Sequence, residues 1–229
     1  MKRYVLAGIC WLSLWVALPA LAQFVPISAP NLAYTSGTTQ IAIAAADGTS
    51  VSSVSDGVQT LTLSTNLDVH TVPGGGWNTW GSPPDTEGAT PRVLGIYTAL
   101  TTETITLSAP KTTFGIELEP DAFGAFDISV DFMNGATLLG TVTRSASGSA
   151  GAKLFAATSA TQITSVVIRA PTGASGFALA RPRYGNLVAN AVTSVPTLSE
   201  WGVMLLAGLL ATGALLRLRK DLKVGSQLR

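Results

Sequence analysis

The sequence predicts an all-β protein, an antiparallel β-sandwich or jelly roll, with an N-terminal signal peptide and one C-terminal transmembrane helix. Three observations carry this. Apolar and polar residues alternate with period two through most of the interior. The alternating stretches are short and separated by Gly, Pro and Ser turns, as in sandwiches and jelly rolls. Two uncharged apolar segments stand near the two ends of the 229 residues.

The elements follow in chain order. Lys2 and Arg3 precede an apolar stretch from Val5 to Leu18, and Ala20-Leu21-Ala22 is a small-x-small cleavage site that places a new N-terminus at Gln23. This layout assigns residues 1–22 to a secretory signal peptide and makes signal peptidase and Sec-type export machinery partners of the chain. The stretch is shorter than the ~20 residues of a membrane span. Cys10 is the only cysteine, so the mature chain has no thiol and forms no disulfide. A domain of about 170 residues buries roughly 70% of its unfolded surface and needs none.

Residues 23–57 are rich in Ala, Ser and Thr and weakly patterned, which predicts a loose arm with an edge strand. Residues 58–186 carry the sandwich. Gln59–Ser64 and Glu103–Ser108 alternate strictly. Phe126, Ile128, Val130 and Phe132 share one face of a strand, with Asp127, Ser129 and Asp131 on the other. Asn134-Gly135 then joins that strand to Thr137–Thr143, the strongest short hairpin signal, because a tight turn needs positive φ. Further strands are expected at Arg92–Tyr97, Thr112–Leu118, Ile163–Arg169 and Phe177–Ala180. Residues 187–194 form a linker. The apolar run at 202–216 is the expected transmembrane helix, extended by Trp201 at one interface and by the basic stop Arg217, Arg219 and Lys220 at the other. Positive charge on that side predicts a cytoplasmic tail, residues 221–229, with the body across the membrane.

Charge narrows the function classes. The body has seven basic and eleven acidic residues, a net charge of −4, so the +1 of the whole chain comes from its ends. Such a body has no electrostatic footprint for nucleic acid or anionic lipid.

Val195-Pro196-Thr197-Leu198-Ser199-Glu200-Trp201-Gly202, followed by an apolar span and an Arg cluster, resembles the IPTL type of C-terminal protein-sorting domain, related in layout to the PEP-CTERM signals of Gram-negative bacteria. Pro196, Thr197, Leu198, Trp201 and Gly202 match, and Val195 stands for the usual Ile. The tail Asp221–Arg229 runs beyond the usual end of such domains. The resemblance implies a membrane-embedded exosortase-type peptidase that recognises residues 195–220 and passes the protein to the cell surface. A plain single-pass anchor is the other reading. Parts of the body, Lys111–Leu118, Phe126–Gly140, Ile163–Ile168 and Gly176–Gly185, also resemble bodies of PEP-CTERM-type exported proteins, which look like carbohydrate-binding jelly rolls. Ala180 and Arg181 stand where those relatives carry Asp and Asn, so no role passes to them.

Candidate chemistry is sparse. His70 is the only histidine, no Gly-x-Ser-x-Gly elbow occurs, and a His-based metal site lacks partners, so no catalytic residue, metal or cofactor is assigned. Glu117, Glu119 and Asp121 are spaced by two. They read as a solvated strand face, as paired carboxylates of a glycan hydrolase, or as Ca²⁺ ligands. The loop from Pro73 to Gly88 holds Trp77, Asn78 and Trp80. Exposed rings beside amides would suit contact with extracellular polysaccharide, whereas buried rings would cap the core. The sequence thus favours an exported, non-enzymatic surface protein, with a glycan hydrolase using Glu117 and Glu119 or a structural adhesion protein as alternatives.

Overall fold

The computed structural model describes residues 24–95 and 100–188, together with Leu206, Leu209, Leu210 and Thr212. The chain divides into two compact units, Met1–Ala189 and Asn190–Arg229. Four expected features lie outside the described residues: the signal peptide with its Ala20, Ala22 and Gln23 cleavage site, the motif Val195–Gly202, the basic stop, and all but four residues of the 202–216 span. Those four residues are helical, and among the described residues no helix is long and apolar enough to cross a membrane.

The described residues of the first unit form an all-β, antiparallel architecture, as expected. Its strands are β1 (Phe24–Ile27), β2 (Thr38–Gln40), β3 (Ser50–Ser55), β4 (Thr60–Thr71), β5 (Arg92–Gly95), β6 (Thr102–Pro120), β7 (Ala125–Asn134), β8 (Thr137–Ser147), β9 (Lys153–Arg169) and β10 (Phe177–Gly185). Its described residues also include one short helix, α1 (Leu32–Gly37), and a 3₁₀ turn at Thr172–Ala174. Every pairing is antiparallel. The order is β2-β10-β5-β4-β6-β9-β7-β8, with β1 on β9, β3 on β4, and β10 also paired to β6.

The long strands build the sandwich. The first part of β6 pairs with β4 through Ile105 and Leu107, and its second part pairs with β10 from Thr113 to Pro120. Its register against β9 slips on either side of Lys111. Bulges of this kind bend a strand and let it serve two layers. The two strands expected at Glu103–Ser108 and Thr112–Leu118 are therefore one. Pro110 lies within it, at the irregular stretch where a missing ladder donor is tolerated. The β7–β8 hairpin closes as predicted: Gly135, at φ +56°, opens a two-residue loop between paired Asn134 and Thr137.

The main core takes alternate residues from both layers, including Leu61, Ile105, Phe114, Ile116, Leu118, Ile128, Val130, Phe132, Phe155 and Phe177. The opposite face of β6, β9 and β10 is also buried. Two smaller apolar clusters cover it: Val72, Trp77, Trp80, Val93, Ala152, Ala178 and Ala180, and beside them Tyr34, Leu154 and Ala156. Small residues on the strands make room for the large covering ones. A Cβ on Gly115 would stand 2.3 Å from the Tyr34 hydroxyl, and one on Gly95 would stand 3.3 Å from the Trp77 ring.

Residues 24–57 are therefore not the loose arm expected. β1, β2 and β3 are paired, Tyr34 and Ile41 are fully buried, and Asn31 caps α1 by accepting from the Tyr34 amide at 2.9 Å. Cross-strand partners far away in sequence supply the order that local pattern lacks.

Candidate functional site

The site grows from the period-two geometry of β6. Phe114, Ile116 and Leu118 point into the main core, so Glu117 and Glu119 point to the other face. That face is roofed by the long connection between β4 and β5. Three successive glycines, Gly74, Gly75 and Gly76, take φ of +122°, +56° and +101°, a path closed to side-chain-bearing residues. The His70 imidazole Nδ1 bonds to the Gly75 carbonyl and fixes this turn. The chain then lays both indoles on the sheet.

Each indole meets one carboxylate. Trp80 Nε1 donates to Glu117 Oε2 at 3.0 Å, and Trp77 Nε1 donates to Glu119 Oε2 at 2.6 Å. The Glu87 amide donates to Glu117 Oε1 at 2.7 Å, and Arg181 Nη1 stands 3.8 Å from the same oxygen. Burial raises the pKa of both carboxyls, and the indole bonds oppose that shift. Glu87 in turn receives Arg183 Nε at 2.6 Å and Nη2 at 2.8 Å, while Arg183 Nη1 donates to the carbonyls of Thr35 and Thr38. Burial lowers the Arg183 pKa, and its bonds to Glu87 more than restore it. This polar layer locks α1, the β4–β5 connection and β10 to one another.

Several expectations change here. Trp77 and Trp80 are 4% and 3% exposed, so they are not an open aromatic platform. They do not cap the main core either, but pack on the outer face of the sheet. Glu117 and Glu119 are wholly buried rather than a solvated face. An alternating strand reads as half-exposed until a distant loop covers its polar side, and the loop residues that do the covering are buried with it. Asn78 alone of the loop trio remains exposed. Among the described residues no three His, Cys, Asp or Glu side chains converge on a metal position.

Two features had no sequence signal. Arg181 takes φ +47° where the register of β10 on β6 slips between Ala180 and Arg183, which turns its guanidinium toward Glu117. Phe123, in the turn between β6 and β7, is 81% exposed.

Two concavities are present beside this layer. A cleft of about 500 Å³ is lined by Pro30, Asn31, Thr35, Pro83, Pro84 and Glu87 among others. Its polar side chains are already engaged: Asn31 caps α1, Thr35 donates to the Asn31 carbonyl, and Glu87 holds Arg183. A smaller depression of about 60 Å³ is lined by Trp77, Asn78, Thr79, Pro120, Asp121 and Phe123 among others.

The comparisons with known proteins bear on the C-terminal segment. Residues 193–220 match the family model of the IPTL-CTERM motif, a C-terminal sorting signal. No curated protein matches the chain. Three solved structures show weak likeness to it. The enzymatically active domain of tailspike protein 4 of bacteriophage CBA120 is 15% identical over 57% of this chain and 20% of its own, with a TM-score of 0.31. The module CsCBM6-3 from Clostridium stercorarium, solved in complex with cellobiose, is 14% identical over 56% and 93%, at 0.29. A family 6 carbohydrate-binding module is 19% identical over 48% and 82%, at 0.27. This chain thus spans about one fifth of the tailspike chain, and TM-scores this low do not establish a shared fold.

Proposed function

We propose that this is an exported, non-enzymatic β-sandwich protein that an exosortase-type peptidase sorts to the cell surface, where its body contacts extracellular polysaccharide. The observation that carries the proposal is the sorting motif at residues 193–220. In this reading Val195, Pro196, Thr197, Leu198, Trp201 and Gly202 are substrate residues for the peptidase. The segment at 202–216 holds the precursor in the inner membrane with its body in the periplasm, and Arg217, Arg219 and Lys220 stay on the cytoplasmic side.

The non-enzymatic part is supported by the state of the best catalytic candidates. Glu117 and Glu119 each spend an oxygen on an indole and lie beneath a loop, whereas glycoside hydrolysis needs two carboxylates flanking a substrate in a cleft. His70 is tied to the Gly75 carbonyl.

The test is substitution of the motif in the native host. With Pro196→Ala and Trp201→Ala together, surface protease digestion should find the body absent from the surface and the uncut precursor retained in the inner membrane. Unchanged surface display of that variant would overturn the sorting reading.

A further inference from the structure

We infer that the depression between the Trp77–Thr79 segment and the Pro120–Phe123 turn is a saccharide-binding subsite, with Phe123, Asp121 and Asn78 as its contact residues. The inference rests on the polysaccharide part of the proposed function and gives it a place.

Phe123 supplies an apolar platform. The residue is 81% exposed, and backbone bonds hold its neighbours on both sides. The Asp121 amide donates to the Gly176 carbonyl at 3.1 Å, the Ala122 amide to Ala174 at 2.9 Å, and the Gly148 amide to Gly124 at 3.2 Å. Gly124 takes φ +126° directly after the ring, so the turn depends on a glycine there. A held turn presents the ring at a set place on the surface, which lowers the ordering cost of stacking a ligand on it.

Neither the Asp121 carboxylate nor the exposed Asn78 amide bonds to any described side chain or backbone group. Burial in the depression raises the Asp121 pKa, and no donor offsets it. By contrast Thr79, deeper in the wall, is used within the protein: its hydroxyl donates to the Gly148 carbonyl at 3.1 Å.

The chemistry selects the ligand class. An anion would meet the Asp121 carboxylate. A purely apolar ligand would desolvate that carboxylate and the Asn78 amide without replacing their water. A metal ion would find one carboxylate, Asp121, in the lining of the depression. A pyranose ring presents an apolar C–H face to an aromatic ring and hydroxyl donors at its edge. Asp121 accepts from such hydroxyls, and Asn78 both donates and accepts. The depression, at about 60 Å³, takes a hydroxyl-bearing edge or a water, so the sugar ring itself lies outside it on Phe123.

The test is affinity electrophoresis of the full chain in gels containing laminarin, xyloglucan, galactomannan or dextran. The subsite predicts that at least one of these neutral polysaccharides retards the protein. Phe123→Ala and Asp121→Asn should each weaken that binding by about tenfold or more. Phe123→Tyr should restore it, and Leu138→Ala, at a half-exposed apolar position on β8, should leave it unchanged. If a polysaccharide binds and neither Phe123→Ala nor Asp121→Asn weakens it, the subsite is overturned while polysaccharide contact stands. If none of the four binds, the subsite and the polysaccharide part of the function both fall, and the sorting part is untouched.

Discussion

Replacing Trp80 by Phe tests whether the outer face of the sheet is truly sealed. The substitution keeps an aromatic ring in the cluster with Val93, Ala152 and Ala180 but removes the N–H that meets Glu117 Oε2 at 3.0 Å. Glu117 is fully buried, so water does not readily take the place of the lost donor. Losing a hydrogen bond to a buried charged group costs about 1.5–3 kcal/mol. The smaller ring forfeits packing worth ~1 kcal/mol more. The expected loss is therefore about 2–4 kcal/mol. For a domain of this size that lowers Tm by roughly 5–15 °C. Urea denaturation followed by far-UV circular dichroism measures it without relying on the mutated indole. A cycle with Glu117→Gln isolates the pair and should return a coupling of about 1 kcal/mol or more. Stability within ~0.5 kcal/mol of wild type, with no coupling, would mean that the loop does not cover this face, and the reasoning would fail.

Two further outcomes follow from the same layer. Glu117 and Glu119 have folded pKa values above their ordinary 4.5, so the folded state binds protons more tightly there. Their contribution to stability is fully present below that value and is lost as the pH rises through the folded pKa values, and a Glu119→Gln variant should show a flatter pH profile in denaturant titrations than wild type. Gly115→Ala should destabilise the protein by ~1–3 kcal/mol or more, because its methyl group would stand 2.3 Å from the Tyr34 hydroxyl and 2.4 Å from Ala156 Cβ, and thermal melts would register it.

Much of the sandwich was legible from the sequence because period-two alternation is a local property. Phe126–Phe132 and the Asn134-Gly135 turn specify the β7–β8 hairpin within a dozen residues. The second, outer layer was not legible. Nothing local in Glu117-Leu118-Glu119 distinguishes a solvated face from one covered by a loop whose Trp77 lies 42 residues from Glu119. Only the pairing of each carboxylate with an indole decides it, and that pairing is a tertiary fact. The order within residues 24–57 is hidden from the sequence for a related reason. Its Ala, Ser and Thr carry little hydrophobic pattern, and its order comes from β9, β10 and β4, which arrive later in the chain. Beside the proposed subsite the exposed aromatic is Phe123 from the next turn, whereas Trp77 and Trp80 of the loop are buried. A lone Phe between Ala122 and Gly124 carries no signal of its own exposure. The sorting motif was legible because its identity lies in a contiguous run of residues rather than in tertiary contacts.

The intact mass of the mature protein from its native host tests the central claim most directly. The account predicts a chain that begins at Gln23 and ends close to Pro196, with or without an added carrier group. A chain that runs on to Arg229 and fractionates with the membrane would contradict it, and the C-terminal segment would then be a plain anchor.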